Sequence, residues 1–287
     1  MADRGLFREI ALGQVPRILG FGDRDEDSGT SGCFDRAYWH YLLKDFANAR
    51  FQESALLLAI LFSHDFPGNR FFGRAAVRRW ARLALLFWAR LQNSDGSFNE
   101  YYPFERSFCA TAFSTYAASR ALLLLDDEEL TRSVLPAVAR AGDYLAAHGN
   151  KDVANQMAAA LAALGNCHLL TGDPRFAAAA EEKKRLLLGM QDAEGAFPEY
   201  GGCDTGYLSV TLSYLMKYHE ASGDPSAIPP AEAAARYLEE RVRPDGTFDW
   251  RSTSRGAQFL YPHGLVMLGS PVADRLLRGL QAGAALS

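Results

Sequence analysis

The sequence predicts an all-α fold, a ring of five to six helical hairpins, and three observations carry that reading. Alanine, leucine and arginine fill long segments in which apolar residues recur every three or four positions. β-branched residues are sparse and no long alternating run appears, so no substantial sheet is expected. Turn signals return at a regular interval: Thr171-Gly172-Asp173-Pro174 and Ser222-Gly223-Asp224-Pro225 each end one helix and admit the next, about 50 residues apart.

The periodicity predicts helices near 36–48, 50–64, 72–92, 106–124, 130–147, 152–171, 174–190, 205–221, 230–242, 255–268 and 271–284. Residues 1–31 read as an N-terminal loop segment and 32–287 as one helical domain. Within 1–31, Asp23-Arg24-Asp25-Glu26-Asp27 reads as a solvated loop, because the glycine and acid spacing of a calcium loop is missing.

A second mark repeats with the hairpins. It runs Gln92-Asn93-Ser94-Asp95-Gly96-Ser97-Phe98, then Gln191-Asp192-Ala193-Glu194-Gly195-Ala196-Phe197, then Pro244-Asp245-Gly246-Thr247-Phe248. The glycines lie 99 and 51 residues apart, which fits a period of about 50 with one degenerate copy near Gly149-Asn150. In each copy a helix ends, a glycine turn reverses the chain, a phenylalanine plugs the gap and the next helix begins. Asp95, Asp245 and Gln92 read as turn and capping residues.

The Gln-x-x-Asp-Gly-Ser-Phe element, followed by a helix, resembles the repeat of α/α toroids over roughly residues 35–285. That superfamily includes squalene-hopene-type cyclases, prenyltransferase β subunits, thioester domains, heparinase II/III- and alginate-lyase-type polysaccharide lyases, and glucuronyl epimerases. The resemblance implies an α/α toroid and leaves the activity open.

Bulk properties bound the function. The formal net charge is −4, so no global basic field exists to hold nucleic acid or an anionic membrane. No run of 18 apolar residues suggests a membrane span and the N-terminus does not read as a secretory signal. Cys33, Cys109, Cys167 and Cys203 lie far apart without a CxxC pair, so they read as reduced thiols of a cytoplasmic protein. Lanthionine cyclases, also toroids, hold zinc with a Cys-His pair, but Cys167-His168 lacks their flanking pattern. Neither a metal nor an organic cofactor is expected, and the oligomeric state is not legible.

Polar and aromatic residues gather in phase with the repeat, ahead of the expected inner helices. Candidate substrate-binding residues are Asp35, Trp39, Tyr41, Glu100, Tyr102, Arg106, Asn155, Gln156, Glu199, Arg255 and Tyr261; candidate catalytic residues are Tyr207, His263, Tyr200, Glu105 and Asp204. Loops in phase would share one mouth, where helix N-termini favour an anionic group and aromatic faces stack on sugar rings.

The leading expectation is an enzyme acting on a uronic-acid-containing saccharide, by β-elimination or C5 epimerisation. Either reaction removes a proton next to a carboxylate, which demands a base and cations or amides to neutralise the acid. Glycoside hydrolysis by a carboxylate pair is a close variant. The alternatives are a class II terpene-cyclase-like enzyme, whose Asp-x-Asp-Asp motif is absent, and a non-catalytic toroidal binding protein without the thioester motif.

Overall fold

The computed structural model describes residues 5–283, and 62% of the chain is helical. Twelve α-helices occur among the described residues: α1 (Gly5–Leu19), α2 (Arg36–Trp39), α3 (Ser54–Ser63), α4 (Ala75–Arg90), α5 (Phe108–Leu125), α6 (Glu128–Ala147), α7 (Ala154–Thr171), α8 (Pro174–Leu188), α9 (Thr205–Ser222), α10 (Ile228–Arg241), α11 (Pro262–Met267) and α12 (Pro271–Ala282). Short 3₁₀ helices occupy Ala49–Glu53 and Pro225–Ala227. No β-strand forms among the described residues, only isolated bridges such as Phe98 with Ser107 and Val153 with Glu199. The all-α expectation holds.

The helices belong to two compact units. One comprises residues 9–148 and 166–177; the other comprises 5–8, 149–165 and 178–283. In the first, α3 packs on α4 and α5, and α6 covers α4 and α5. In the second, α9 packs on α10 and α11, with α12 against both of those. α5 is long and apolar enough to cross a bilayer, but 72% of it is covered by protein, as befits a core helix.

Side chains start and stop these helices as their chemistry dictates. Ser107, Asp127 and Asp204 cap α5, α6 and α9, each accepting a backbone N–H three residues on. Glu128 and Glu129 fill the first turn of α6, where the helix dipole favours anions. Gly223 ends α9 with a left-handed φ of 71°.

Three sequence expectations need correction. Residues 5–19 form α1 although 1–31 read as loop; the helix encloses Pro16 and weak apolar periodicity hid it. The helix expected over 36–48 stops at Trp39, because Lys44 returns to pair with Asp35 and Asp35 Oδ2 also accepts the Asn48 N–H at 2.9 Å. The helix expected over 255–268 begins only at Pro262, which holds Tyr261 in extended backbone with ψ 118°. The expected end of the last helix, residue 284, lies outside the described residues.

The repeated turn has a definite construction. Gly96, Gly195 and Gly246 have φ of 89°, 95° and 85°, and each lies against a helix carbonyl, of Arg140, Ala233 and Arg275 respectively. Gln92 Nε2 donates to the Gly96 and Ala137 carbonyls, at 3.1 and 2.8 Å. Gln191 Nε2 donates in the same way to Gly195 and Pro230, at 3.0 and 2.9 Å. Asp95, Asp192 and Asp245 accept N–H groups within the turn. The sequence reading missed a fourth copy, Gly32-Cys33-Phe34. Gly32 has φ 87° and faces the Leu83 carbonyl, and Gln52 Nε2 donates to the Gly32 and Ala84 carbonyls, at 2.9 and 3.0 Å. Asp23 in the preceding loop is buried, not solvated as expected, and its carboxylate accepts the Ser28 and Thr30 hydroxyls at 2.7 Å. At the degenerate copy Gly149 has no left-handed φ, and it faces the Met157 sulfur and the Lys183 ammonium of α8 in place of a helix carbonyl.

Candidate functional site

In the unit containing α9, the turn at Gly195 delivers the chain to the candidate site. Phe197 is buried beneath it. Glu199 then donates its N–H to the Gly202 carbonyl at 2.8 Å, and Tyr200 donates to the Asp152 carbonyl at 2.9 Å. Between these anchors Tyr200 takes a φ of 50°, a strained conformation for a bulky residue, and leaves its ring 55% exposed.

The Glu199 carboxyl is 2% exposed and is held on both oxygens. Asn155 Nδ2, from the first turn of α7, donates to Oε2 at 2.5 Å. Arg255 Nη1 donates to Oε1 at 3.1 Å. Burial nevertheless dominates: it pushes the carboxyl up to about 7 against the lowering pull of Asn155 and Arg255. The acid therefore changes charge near neutrality, where proton transfer is most useful.

Arg255 couples this acid to an aromatic surface. Its guanidinium carbon lies 4.6 Å from the Tyr200 ring centre and 4.9 Å from that of Tyr207. Phe259 meets Tyr207 and Tyr261 edge to face, at 5.5 Å in each case. Only one of the five Arg255 donors is bound to Glu199, and the side chain is 38% exposed.

Asp204 supports the site from beneath. Oδ1 caps α9 through the Tyr207 N–H, and Oδ2 accepts the Thr253 hydroxyl and the Arg255 and Ala257 N–H groups, at 2.8 to 3.2 Å. This fully buried carboxylate accepts four hydrogen bonds from the protein, against two at Glu199, so a positioning part replaces the catalytic role expected for Asp204. His263 also departs from expectation. Its Nε2 lies 3.3 Å from Glu220 near the C-terminal end of α9, whereas Tyr200, Tyr207 and Arg255 gather at the N-terminal end. Gln156 accepts from Asn150 Nδ2 at 3.1 Å and steadies the loop before α7. Thr253 and Phe259 were missed by the sequence reading. The aromatic alternation of Phe259 and Tyr261 was the available signal, obscured by the helix expected there.

The remaining expected site residues lie in the other unit. Asp35 is fully buried, caps α2 and pairs with Lys44, a structural task. Trp39 donates its indole N–H to the Phe21 carbonyl at 2.8 Å. Tyr41 and Tyr102 are exposed, Tyr41 under the Arg36 guanidinium. Glu105 Oε2 accepts the Glu100 and Tyr101 N–H groups, at 2.7 and 2.8 Å, and so ties the 100–105 loop instead of offering a catalytic carboxylate. Arg106 pairs with Asp95 at 3.2 Å. Glu100 is nearly buried, 4.0 Å from Arg50.

All four cysteines are free thiols. Cys167 Sγ contacts the Val138 carbonyl, while His168 Nδ1 meets the Asp173 carbonyl. No group of three potential metal ligands occurs among the described residues. Comparison with protein-family models, with curated proteins and with solved structures found no match for this chain.

The raised Glu199 carboxyl sets a pH dependence of stability. Between about pH 4.5 and 7 the unfolded chain has lost this proton and the folded chain keeps it, so stability falls as pH rises through that window. The loss attributable to Glu199 is roughly 3 kcal/mol. Urea unfolding at pH 5 and pH 8 should show Glu199→Gln flattening this slope; an unchanged slope would mean that Glu199 ionises normally.

Proposed function

We propose that this chain is an enzyme acting on a uronic-acid-containing saccharide, transferring a proton at the carbon next to the sugar carboxylate. The observation that carries the reading is the buried Glu199, poised near neutrality beside a partly exposed arginine and an aromatic wall. The recurring Gly-x-Phe turns, three of them clamped by glutamine, support the accompanying reading of the hairpins as an α/α toroid.

In this reading the remaining Arg255 donors bind the uronate carboxylate. Tyr200, Tyr207, Phe259 and Tyr261 pack on the pyranose faces. Glu199 takes the proton from C5, and the C–H electron pair moves onto the sugar carboxylate, where the guanidinium stabilises it. Expulsion of the oxygen at C4 then yields an unsaturated uronate, and Tyr207 is the candidate acid for that oxygen. Reprotonation at C5 from the opposite face yields the epimer instead. Hydrolysis by a Glu199–Asp204 pair is disfavoured, because Asp204 is fully buried and accepts four hydrogen bonds from the protein, against two at Glu199. The reduced thiols accord with a cytoplasmic setting, which belongs to the same proposal.

The test incubates the protein with alginate, polygalacturonate, hyaluronan and heparan sulfate. Ultraviolet absorbance reports an unsaturated product, and deuterium uptake at C5 in heavy water reports epimerisation. Neither signal, together with no binding of these polymers, would overturn the proposal. Tyr207→Phe should lower turnover by about 10²-fold with an unchanged melting temperature. A variant of full stability and full activity removes the hydroxyl from the mechanism; one that melts well below the parent marks it as a packing group.

A further inference from the structure

The constellation around Glu199 has a counterpart 99 residues earlier. Gly195-Ala196-Phe197-Pro198-Glu199-Tyr200 repeats Gly96-Ser97-Phe98-Asn99-Glu100-Tyr101, with four of six residues shared. Each set lies within its own compact unit. In both, a left-handed glycine turn precedes a buried phenylalanine, a nearly buried glutamate facing an arginine, and an exposed tyrosine. In both, a bulky residue of the following loop has a positive φ: Tyr200 at 50° in one, Phe104 at 58° in the other.

The surroundings of Glu100 differ in charge. Arg50 donates to Cys109 Sγ at 3.2 Å, pairs closely with Glu53 and lies 4.0 Å from Glu100. Its guanidinium also covers the Phe113 ring at 4.1 Å. The Glu100 charge pushes the Tyr101 hydroxyl up, and burial, with Glu100 nearby, pushes the Cys109 thiol up as well. Two carboxylates thus share one guanidinium, whereas at Glu199 a single acid, near its own titration point, meets Arg255. Exposed Tyr101, Tyr102 and Phe104 supply flat apolar faces beside the cluster.

We propose that Glu100, Arg50, Tyr101 and Cys109 form a second saccharide-binding site, which takes an uncharged sugar unit. Carboxylates that outnumber the guanidinium accept sugar hydroxyls and repel a uronate. The aromatic faces stack on the ring. The inference rests on the saccharide reading of the Glu199 site and adds a neutral sugar unit to the ligands that the chain takes.

Cys109 reports on this site, since it is half-buried within it. The experiment follows N-ethylmaleimide modification of Cys109 by peptide mass mapping in the full chain, with N-acetylglucosamine, glucose, glucuronate or glycerol added. Either neutral sugar should slow Cys109 modification several-fold and saturably, while glucuronate and glycerol leave it unchanged. Tyr101→Ala, at an exposed position that folding tolerates, should raise the half-protecting concentration several-fold. Arg255→Met should leave the protection intact, which separates this site from the one at Glu199. No protection by either neutral sugar, or protection by glucuronate alone, would overturn the proposal. Protection of Cys109 without any uronate binding elsewhere would overturn the Glu199 reading and leave this one standing.

Discussion

Gly32→Ala is expected to destabilise the protein by about 3–5 kcal/mol, through left-handed backbone strain and a collision that cannot relax. A Cβ at Gly32 would stand 2.1 Å from the Leu83 carbonyl oxygen and 2.8 Å from the Ala84 nitrogen. Both atoms belong to the backbone of α4, which α3 and α6 hold in place. Gly201→Ala is the matched control. Its φ of 80° is equally left-handed, but nothing lies within 4 Å of the new Cβ, so only the backbone strain remains, about 1 kcal/mol. Chemical unfolding of the two variants separates the effects. Equal losses would show that the approach to α4 relaxes freely.

That glycine also shows why part of the fold escaped the sequence. In the turns at Gly96 and Gly195 the glutamine clamp precedes the glycine by four residues, so a local motif exists to be read. At Gly32 the same two-carbonyl clamp comes from Gln52, 20 residues downstream, and no local spacing announces it. Helices with strong caps, such as α5, α6 and α9, were legible to within two residues at either end, because capping chemistry is local. The ends of α2 and α11 depend on a return of Lys44 to Asp35 and on the backbone before Pro262.

The candidate site was legible in composition but not in roles. Asn155, Glu199, Tyr200, Tyr207 and Arg255 were all singled out, since polar and aromatic residues at helix starts stand apart from an alanine-rich background. Which carboxylate is poised and which is structural depends on hydrogen-bond partners about 50 residues away. Asp204 looks as reactive as Glu199 until Thr253, Arg255 and Ala257 are seen to occupy it.

Glu199→Gln is expected to abolish most turnover, by 10²- to 10⁴-fold, the span typical of removing a positioned general base. The amide keeps the size of the side chain and can still bind Asn155, so the fold should survive. Above pH 7 the variant should unfold no more readily than the parent, because it removes a buried charge. Loss of kcat with little change in KM would mark Glu199 as acting in the chemical step. In the parent, the acidic limb of the rate profile should fall near pH 7, set by the same carboxyl. A Glu199→Gln enzyme of normal activity would move the proton-transfer role to Tyr207 or Tyr200.

The antiparallel bridge between Phe98 and Ser107 has a further consequence for how such a chain can diversify. The Ser107 N–H reaches the Phe98 carbonyl at 2.8 Å, so the ends of the 99–106 segment are fixed by the helix behind and the helix ahead. A segment closed at its base can change length without disturbing what it joins. Doubling it adds only about 0.6 kcal/mol of closure entropy. Residues 101–104 at its tip are exposed and can vary, while Asn99, Glu100 and Arg106 nearer its base stay tied to Ala49, Arg50 and Asp95.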